Sequence, residues 1–285
     1  MTERRVAVIG LGSMGQRYVQ HFQRDRQAQV FGCDVRPETF PDDVLCYDTL
    51  DDLLTQVAPT VAVIAVPAEH HLSSLYAVRE AHPRCSVLLE KPVADRALDD
   101  QNVRRCMALG GVIAVGYCWR FHPFAQQVRS VRRSIRDLTL YVASDMRTWP
   151  GHHYADPLRE FSHELDLVHF LTVAPRVTDV GRTPHGRYSI SGEHRMGRWS
   201  VRIAPYHHPP GRWVRLRMRD GSTVTNHWAR HPAMLNAMYE AQGAEVCDAQ
   251  DASDLTCPLH EAITTTLLVD EIERRLSAQE DGVVM

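Results

Sequence analysis

The chain has 285 residues, 44% hydrophobic and 24% charged, with a mean hydropathy of -0.30, a globular composition long enough for two domains at about 100 to 200 residues each. Thirty-two Lys and Arg against 35 Asp and Glu leave a formal charge of -3, so there is no overall positive field to hold nucleic acid. No apolar run approaches the roughly 18 residues of a membrane span, and no signal-peptide pattern precedes the first strand. Seven scattered cysteines without a CxxC pair argue against a disulfide framework or zinc knuckle and predict a cytoplasmic protein.

Five short apolar runs open the chain: residues 5–10 (RVAVIG), 29–34 (QVFGCD), 60–66 (TVAVIAV), 85–90 (CSVLLE) and 111–117 (GVIAVGY). Nearly continuous in hydrophobicity and rich in β-branched side chains, they predict parallel strands buried on both faces. Helices are predicted between them over Met14–Arg24, Thr49–Val57, His71–Ala81 and Ala97–Leu109. After Cys118 the pattern changes. A helix over Phe124–Arg133 and a strand over 138–146 lead to a polar loop at 148–160 with two prolines and two histidines; such loops carry binding residues. An apolar-periodic helix follows over Phe161–Val173. Alternating runs from Arg176 to Trp228, two of them joined through Asp220 and Gly221, predict hairpins in an antiparallel sheet. Helices over Ala233–Ala244 and Leu259–Leu276 close the chain.

Gly10-Leu11-Gly12-Ser13-Met14-Gly15 matches GxGxxG between the first strand and the first helix, the context in which the motif has meaning. Gly10 allows a tight turn, Gly12 lets the backbone approach a pyrophosphate, and Gly15 lets helix and strand pack closely. The helix start at Ser13 and Met14 offers N–H groups to the anion. The second strand ends in Asp34, an acid suited to the adenosine ribose hydroxyls. Arg36, two residues on, could receive a 2′-phosphate if Asp34 turned away. The cofactor reads as NAD or NADP, with NAD preferred. Residues 1–118 are therefore expected to be an α/β Rossmann domain with a parallel sheet, and residues 119–285 an α+β domain with an open, mainly antiparallel sheet.

AVPAEHH (65–71), LLEKPVA (88–94), VGYCWRFHP (115–123) and SHELDLVHFL (162–171) follow the glycine turn in this order. The succession resembles the Gfo/Idh/MocA family of oxidoreductases, which includes glucose–fructose oxidoreductase and inositol dehydrogenase, over about two thirds of the chain. The resemblance implies that the second domain covers the cofactor, binds substrate and forms a homo-oligomer, dimer or tetramer. It also implies that Pro67, His71 and Glu90 line the cofactor crevice, that Lys91 reaches both substrate hydroxyl and nicotinamide, and that His163 is the acid/base. Lys91 has an independent argument: a lysine after a parallel strand sits at the sheet's carboxyl edge, where it can hold a reacting oxygen and stabilise its charge. An imidazole, with an ordinary pKa of about 6.5, suits proton exchange.

Sugar-oxidising members carry an aspartate four residues before this histidine, where Arg159 stands here. Glu160 or Asp156 could supply a carboxylate instead, and the Arg159 guanidinium could grip an anionic group. Arg120 and Arg159, with Trp149, His153 and Tyr154 beside His152 in the loop, are the candidate substrate contacts, since aromatic faces and imidazoles suit polar rings. His163-Glu164 is not a zincin motif, because Leu167 occupies the second histidine position, and no metal site is predicted. The activity that follows is hydride transfer between nicotinamide and a carbinol or ketone of a sugar, cyclitol or related small metabolite. Reduction of an imine or conjugated double bond, and a non-catalytic dinucleotide-binding sensor, stay open.

Overall fold

The computed structural model describes residues 4–148, 157–228 and 232–280. The chain divides into two compact units, Met1–Cys118 with Leu235–Ile263, and Trp119–Met234 with Thr264–Met285.

In the first unit the order is β1 (Arg4–Ile9), α1 (Ser13–Gln23), β2 (Ala28–Cys33), β3 (Leu45–Tyr47), α2 (Leu50–Val57), β4 (Val61–Ile64), α3 (His71–Ala81), β5 (Ser86–Leu89), α4 (Asp100–Met107) and β6 (Ile113–Val115). All six strands are parallel, in the order β3-β2-β1-β4-β5-β6. Along β1, Ala7 and Ile9 enter one apolar cluster while Val6 and Val8 enter another, and β4 divides in the same way. With both faces covered, alternation leaves no polar positions, which is why these strands read as continuous apolar runs. The Thr49 side chain caps α2 by accepting from the Asp52 N–H, and Asp99 caps α4 at Asn102, so α4 begins at Asp100 rather than at Ala97. Strand order reverses between β1 and β4, the switch point at whose carboxyl end ligands bind in such sheets.

The second unit contains α5 (Pro123–Ser130), β7 (Ile135–Asp145), α6 (Pro157–Glu160), α7 (Ser162–Leu171), β8 (Arg176–Arg182), β9 (Tyr188–His194), β10 (Gly197–Ala204), β11 (Tyr206–Met218) and β12 (Thr223–His227). Its sheet runs β12-β11-β7-β10-β9-β8, and only β7 with β10 is a parallel pair. The sheet is thus mixed and mainly antiparallel. Eight of the ten residues of α7 are buried, Glu164 and Asp166 among them, so this helix is interior rather than half-solvated.

Two helices follow, α8 (Pro232–Asp248) and α9 (Leu259–Glu280). The predicted boundary after Cys118 marks only the first crossing, because residues 235–263 return to the first unit. The reason is the edge of the parallel sheet. Gln242 Nε2 donates to the Val115 carbonyl at 2.8 Å, the Val115 N–H donates to Cys257 at 2.9 Å, and Ala114 bridges Pro258. The returning segment thereby pairs the backbone groups that edge strand β6 would otherwise leave open. Among the described residues no helix is long and apolar enough to cross a membrane.

Candidate active site

Gly10 leaves β1 with φ +90°, and a Cβ there would lie 2.6 Å from the Ala65 carbonyl and the Val66 nitrogen. A Cβ at Gly15 would lie 1.8 Å from the Gly10 oxygen. Both positions are closed to any side chain. Gly12 is different: it is the N-cap of α1, has no side-chain capping bond, and a Cβ there would meet no protein atom within 4 Å. Among the described residues, Ser13 is exposed and Met14 half-buried at the helix start. Backbone N–H groups at an uncapped helix N-terminus, approached over a residue with no side chain, form a cradle for an anion. The turn therefore fits a dinucleotide pyrophosphate.

Asp34 follows β2 and is buried. Its Oδ2 accepts the Leu11 N–H at 2.7 Å, and its Oδ1 accepts the Arg36 N–H at 3.0 Å and Nε at 3.3 Å. Burial opposes ionisation, but these donors hold the carboxyl below its ordinary range. Asp34 has not turned away from the glycine turn, and the exposed Arg36 side chain is engaged with it.

The second cluster surrounds the turn after β5. Glu90 is buried, Lys91 is half-buried, and the Lys91–Pro92 peptide is cis. His71, 1% exposed at the start of α3, puts Nδ1 2.6 Å from the Pro92 carbonyl and Nε2 2.9 Å from the Val66 carbonyl. It joins the segment after β4, where Pro67 is exposed, to the turn that carries Lys91. Burial pushes the His71 imidazole down, against the pull of its two carbonyl partners. Composition held a signal about this turn that motif reading passed over: Lys91 is the only lysine in the chain, against 31 arginines.

In the second unit His163 is half-buried in the first turn of α7. Arg120, expected as a substrate contact, is fully buried, with Nε and Nη2 donating to Asp166 at 2.8 and 2.7 Å. Arg159, expected to grip an anionic group, is 5% exposed and donates through Nη2 to Asp270 at 2.8 Å and Glu273 at 2.5 Å. Each guanidinium is thus engaged by carboxylates of its own unit. Trp149, His152, His153, Tyr154 and Asp156 lie outside the described residues. Motif reading missed a further buried pair, Arg212 with Glu164, whose guanidinium lies over the Trp119 ring at 4.0 Å. Trp119 in turn stacks on Trp228 at 5.3 Å, and Trp228 on His122 at 4.3 Å. No group of His, Cys, Asp and Glu among the described residues could hold a metal ion.

Residues 4–117 match the GFO_IDH_MocA family, an oxidoreductase family with an NAD-binding Rossmann fold. The fold recurs in solved structures. GenD2 from gentamicin A biosynthesis, in complex with NAD, is 16% identical with a TM-score of 0.80 over 98% of this chain and 95% of that one. A myo-inositol dehydrogenase from Corynebacterium glutamicum is 13% identical, TM-score 0.79, over 97% of each chain. The myo-inositol dehydrogenase from Lactobacillus casei, in complex with NAD(H) and myo-inositol, is 12% identical, TM-score 0.76, over 98% of this chain and 95% of that one. At such identities the likeness speaks for the fold. No curated protein sequence matches the chain. The segment that matches, residues 4–117, is therefore an NAD-binding Rossmann domain of that oxidoreductase family, with its glycine turn and Asp34 in place.

Proposed function

We propose that the protein is an NAD-dependent dehydrogenase acting on a carbinol or ketone of a sugar, cyclitol or related small metabolite, with Lys91 holding the reacting oxygen and His163 exchanging its proton. The observation that carries this reading is Lys91 itself. A chain with 31 arginines keeps its one lysine at the carboxyl edge of the parallel sheet. An ammonium is a compact charge on a flexible stem with three rotatable donors, whereas a guanidinium is a planar fork. The former suits an oxygen that gains negative charge as its proton leaves. Bound NAD supplies the hydride acceptor, or in reduced form the donor. In the oxidative direction Lys91 Nζ donates to the substrate oxygen and the His163 imidazole accepts the hydroxyl proton; in reduction Lys91 still donates to the carbonyl oxygen and His163 gives the proton back.

The Asp34 carboxylate supports NAD over NADP, since it accepts hydrogen bonds from ribose hydroxyls and repels a 2′-phosphate. The reading is tested by absorbance at 340 nm, with a panel of cyclitols, aldoses and sugar alcohols and each dinucleotide. Turnover with NAD that is lost in Lys91→Ala and His163→Ala supports it. Turnover unchanged in both variants refutes the assignment. Arg159, standing at the family's aspartate position and bound to Asp270 and Glu273, favours one second reading: an imine or conjugated double bond as substrate, shown by NADH consumption with such compounds and none with ketones.

A further inference from the structure

Glu90 is the residue before Lys91, and its two carboxylate oxygens face two different donors. The Tyr18 hydroxyl donates to Oε1 at 2.7 Å, and the backbone N–H of Lys91 donates to Oε2 at 3.1 Å. Tyr18 is 1% exposed and belongs to α1, the helix that begins at the glycine turn. Gly116 makes room for this arrangement: a Cβ there would lie 2.9 Å from Glu90 Oε2 and 3.2 Å from its Cα. Beyond the lysine, the Pro92 carbonyl is held by His71. The backbone is thus tied down on both sides of Lys91, once to the helix at the glycine turn and once to α3.

The chemistry of Glu90 agrees with a holding role. A carboxylate accepts from both donors at once, whereas a protonated carboxyl must give up one of its acceptor positions. Burial pushes the Glu90 pKa up, and the Tyr18 bond, the Lys91 charge and N–H, and the Arg17 charge pull it back. Tyr18 itself is locked, with its ring edge-on to Tyr239 at 6.1 Å and its own ionisation pushed far up by burial.

We propose that Tyr18 is a positioning residue for Lys91: by holding the Glu90 carboxylate it fixes the backbone from which the lysine projects and ties it to the helix of the dinucleotide turn. This rests on the role given to Lys91 above. Direct contact with substrate is not part of it, since Tyr18 is enclosed by its own unit.

Because the chain has one lysine, protein grown with lysine labelled with carbon-13 at Cε gives a single lysine signal that reports on Lys91 alone. Tyr18→Phe removes the hydroxyl and keeps the ring; Glu90→Gln keeps the volume and replaces a carboxylate oxygen with an amide nitrogen. Both variants are expected to shift or broaden the Lys91 signal. Each is expected to lower kcat by about tenfold, while KM and Kd for NAD stay within about threefold, the pattern of a misplaced group rather than a lost binding contact. An unmoved signal, or a moved signal with unchanged kcat, overturns the proposal, even if the melting temperature falls. If the wild-type protein oxidises and reduces none of the carbinols and ketones offered, the functional reading fails by itself, and the Lys91 signal alone then decides whether Tyr18 positions it.

Discussion

Asp166→Ala removes one side of a buried ion pair whose members are 0% and 1% exposed. Two charge-assisted hydrogen bonds disappear, and so does the Thr265 hydroxyl's bond to Asp166 at 3.1 Å. The buried Arg120 guanidinium, which also lies over the Phe170 ring at 5.1 Å, then loses its Asp166 counter-charge. Breaking a buried pair from one side costs about 3–5 kcal/mol, against a total stability of about 5–15 kcal/mol. Replacing both residues, Arg120→Met with Asp166→Leu, also removes the desolvation of both charges and is expected to cost less than about 2 kcal/mol. Urea unfolding followed by tryptophan emission is the assay, and it isolates the right unit. All five tryptophans lie between residues 119 and 228, within the second unit. The reasoning is refuted if Asp166→Ala unfolds within about 1 kcal/mol of wild type, or if the double variant loses as much as the single one. A double variant that is stable but has lost substrate affinity would return Arg120 to the substrate.

Gly12 and Gly15 are expected to separate binding from folding. Gly12→Ala, which meets no protein atom, should leave stability within about 1 kcal/mol yet weaken NAD at least about tenfold, whereas Gly15→Ala, 1.8 Å from the Gly10 oxygen, should lose several degrees of melting temperature without ligand. Thermal melts with and without NAD check both, and a Gly12→Ala protein that binds NAD normally contradicts the cradle. Asp34→Ala is expected to weaken NAD and raise relative use of NADP by about tenfold or more; calorimetric titration with each dinucleotide decides, and an unchanged preference removes Asp34 from that role. His21, His71, His122 and His194 all have pKa values lowered, in each case chiefly by burial. The folded state therefore binds fewer protons than the unfolded chain, whose histidines titrate near 6.5, so stability is full above about pH 6.5 and falls as the pH drops through the lowered values. Glu90, raised by burial, acts in the opposite sense but is one group against four. Melting temperature should fall between pH 7.5 and 5.5, and a rise would show that these histidines are not buried neutral.

The parallel sheet was legible in the sequence because strands covered on both faces cannot hide their apolar residues. The glycine turn was legible because close approach and backbone angle demand glycine at Gly10 and Gly15. Strand β3 was not, since three residues at a sheet edge, with Leu45 61% exposed, leave too little apolar pattern to detect. Nor did the pattern of α8 say which body it packs on; that follows from the open edge of β6. The ion pairs of Arg120 and Arg159 were not legible either, for one physical reason. Their carboxylate partners lie 46 and 111 residues away in sequence, too far for any local pattern to join them. The parallel pairing of β7 with β10 was hidden as well, because side chains alternate identically in parallel and antiparallel strands.

The central claim is that an ammonium, rather than any cation, is required after β5. Lys91→Arg tests it most directly, measured as kcat at 340 nm on a turned-over carbinol, with NAD affinity measured alongside. A fall in kcat of about a hundredfold or more, with NAD Kd within about threefold, is the predicted result, since a planar fork cannot take the place of a rotatable point donor at a reacting oxygen. Lys91→Arg turning over within about threefold of wild type would contradict the account, whatever else the site contains.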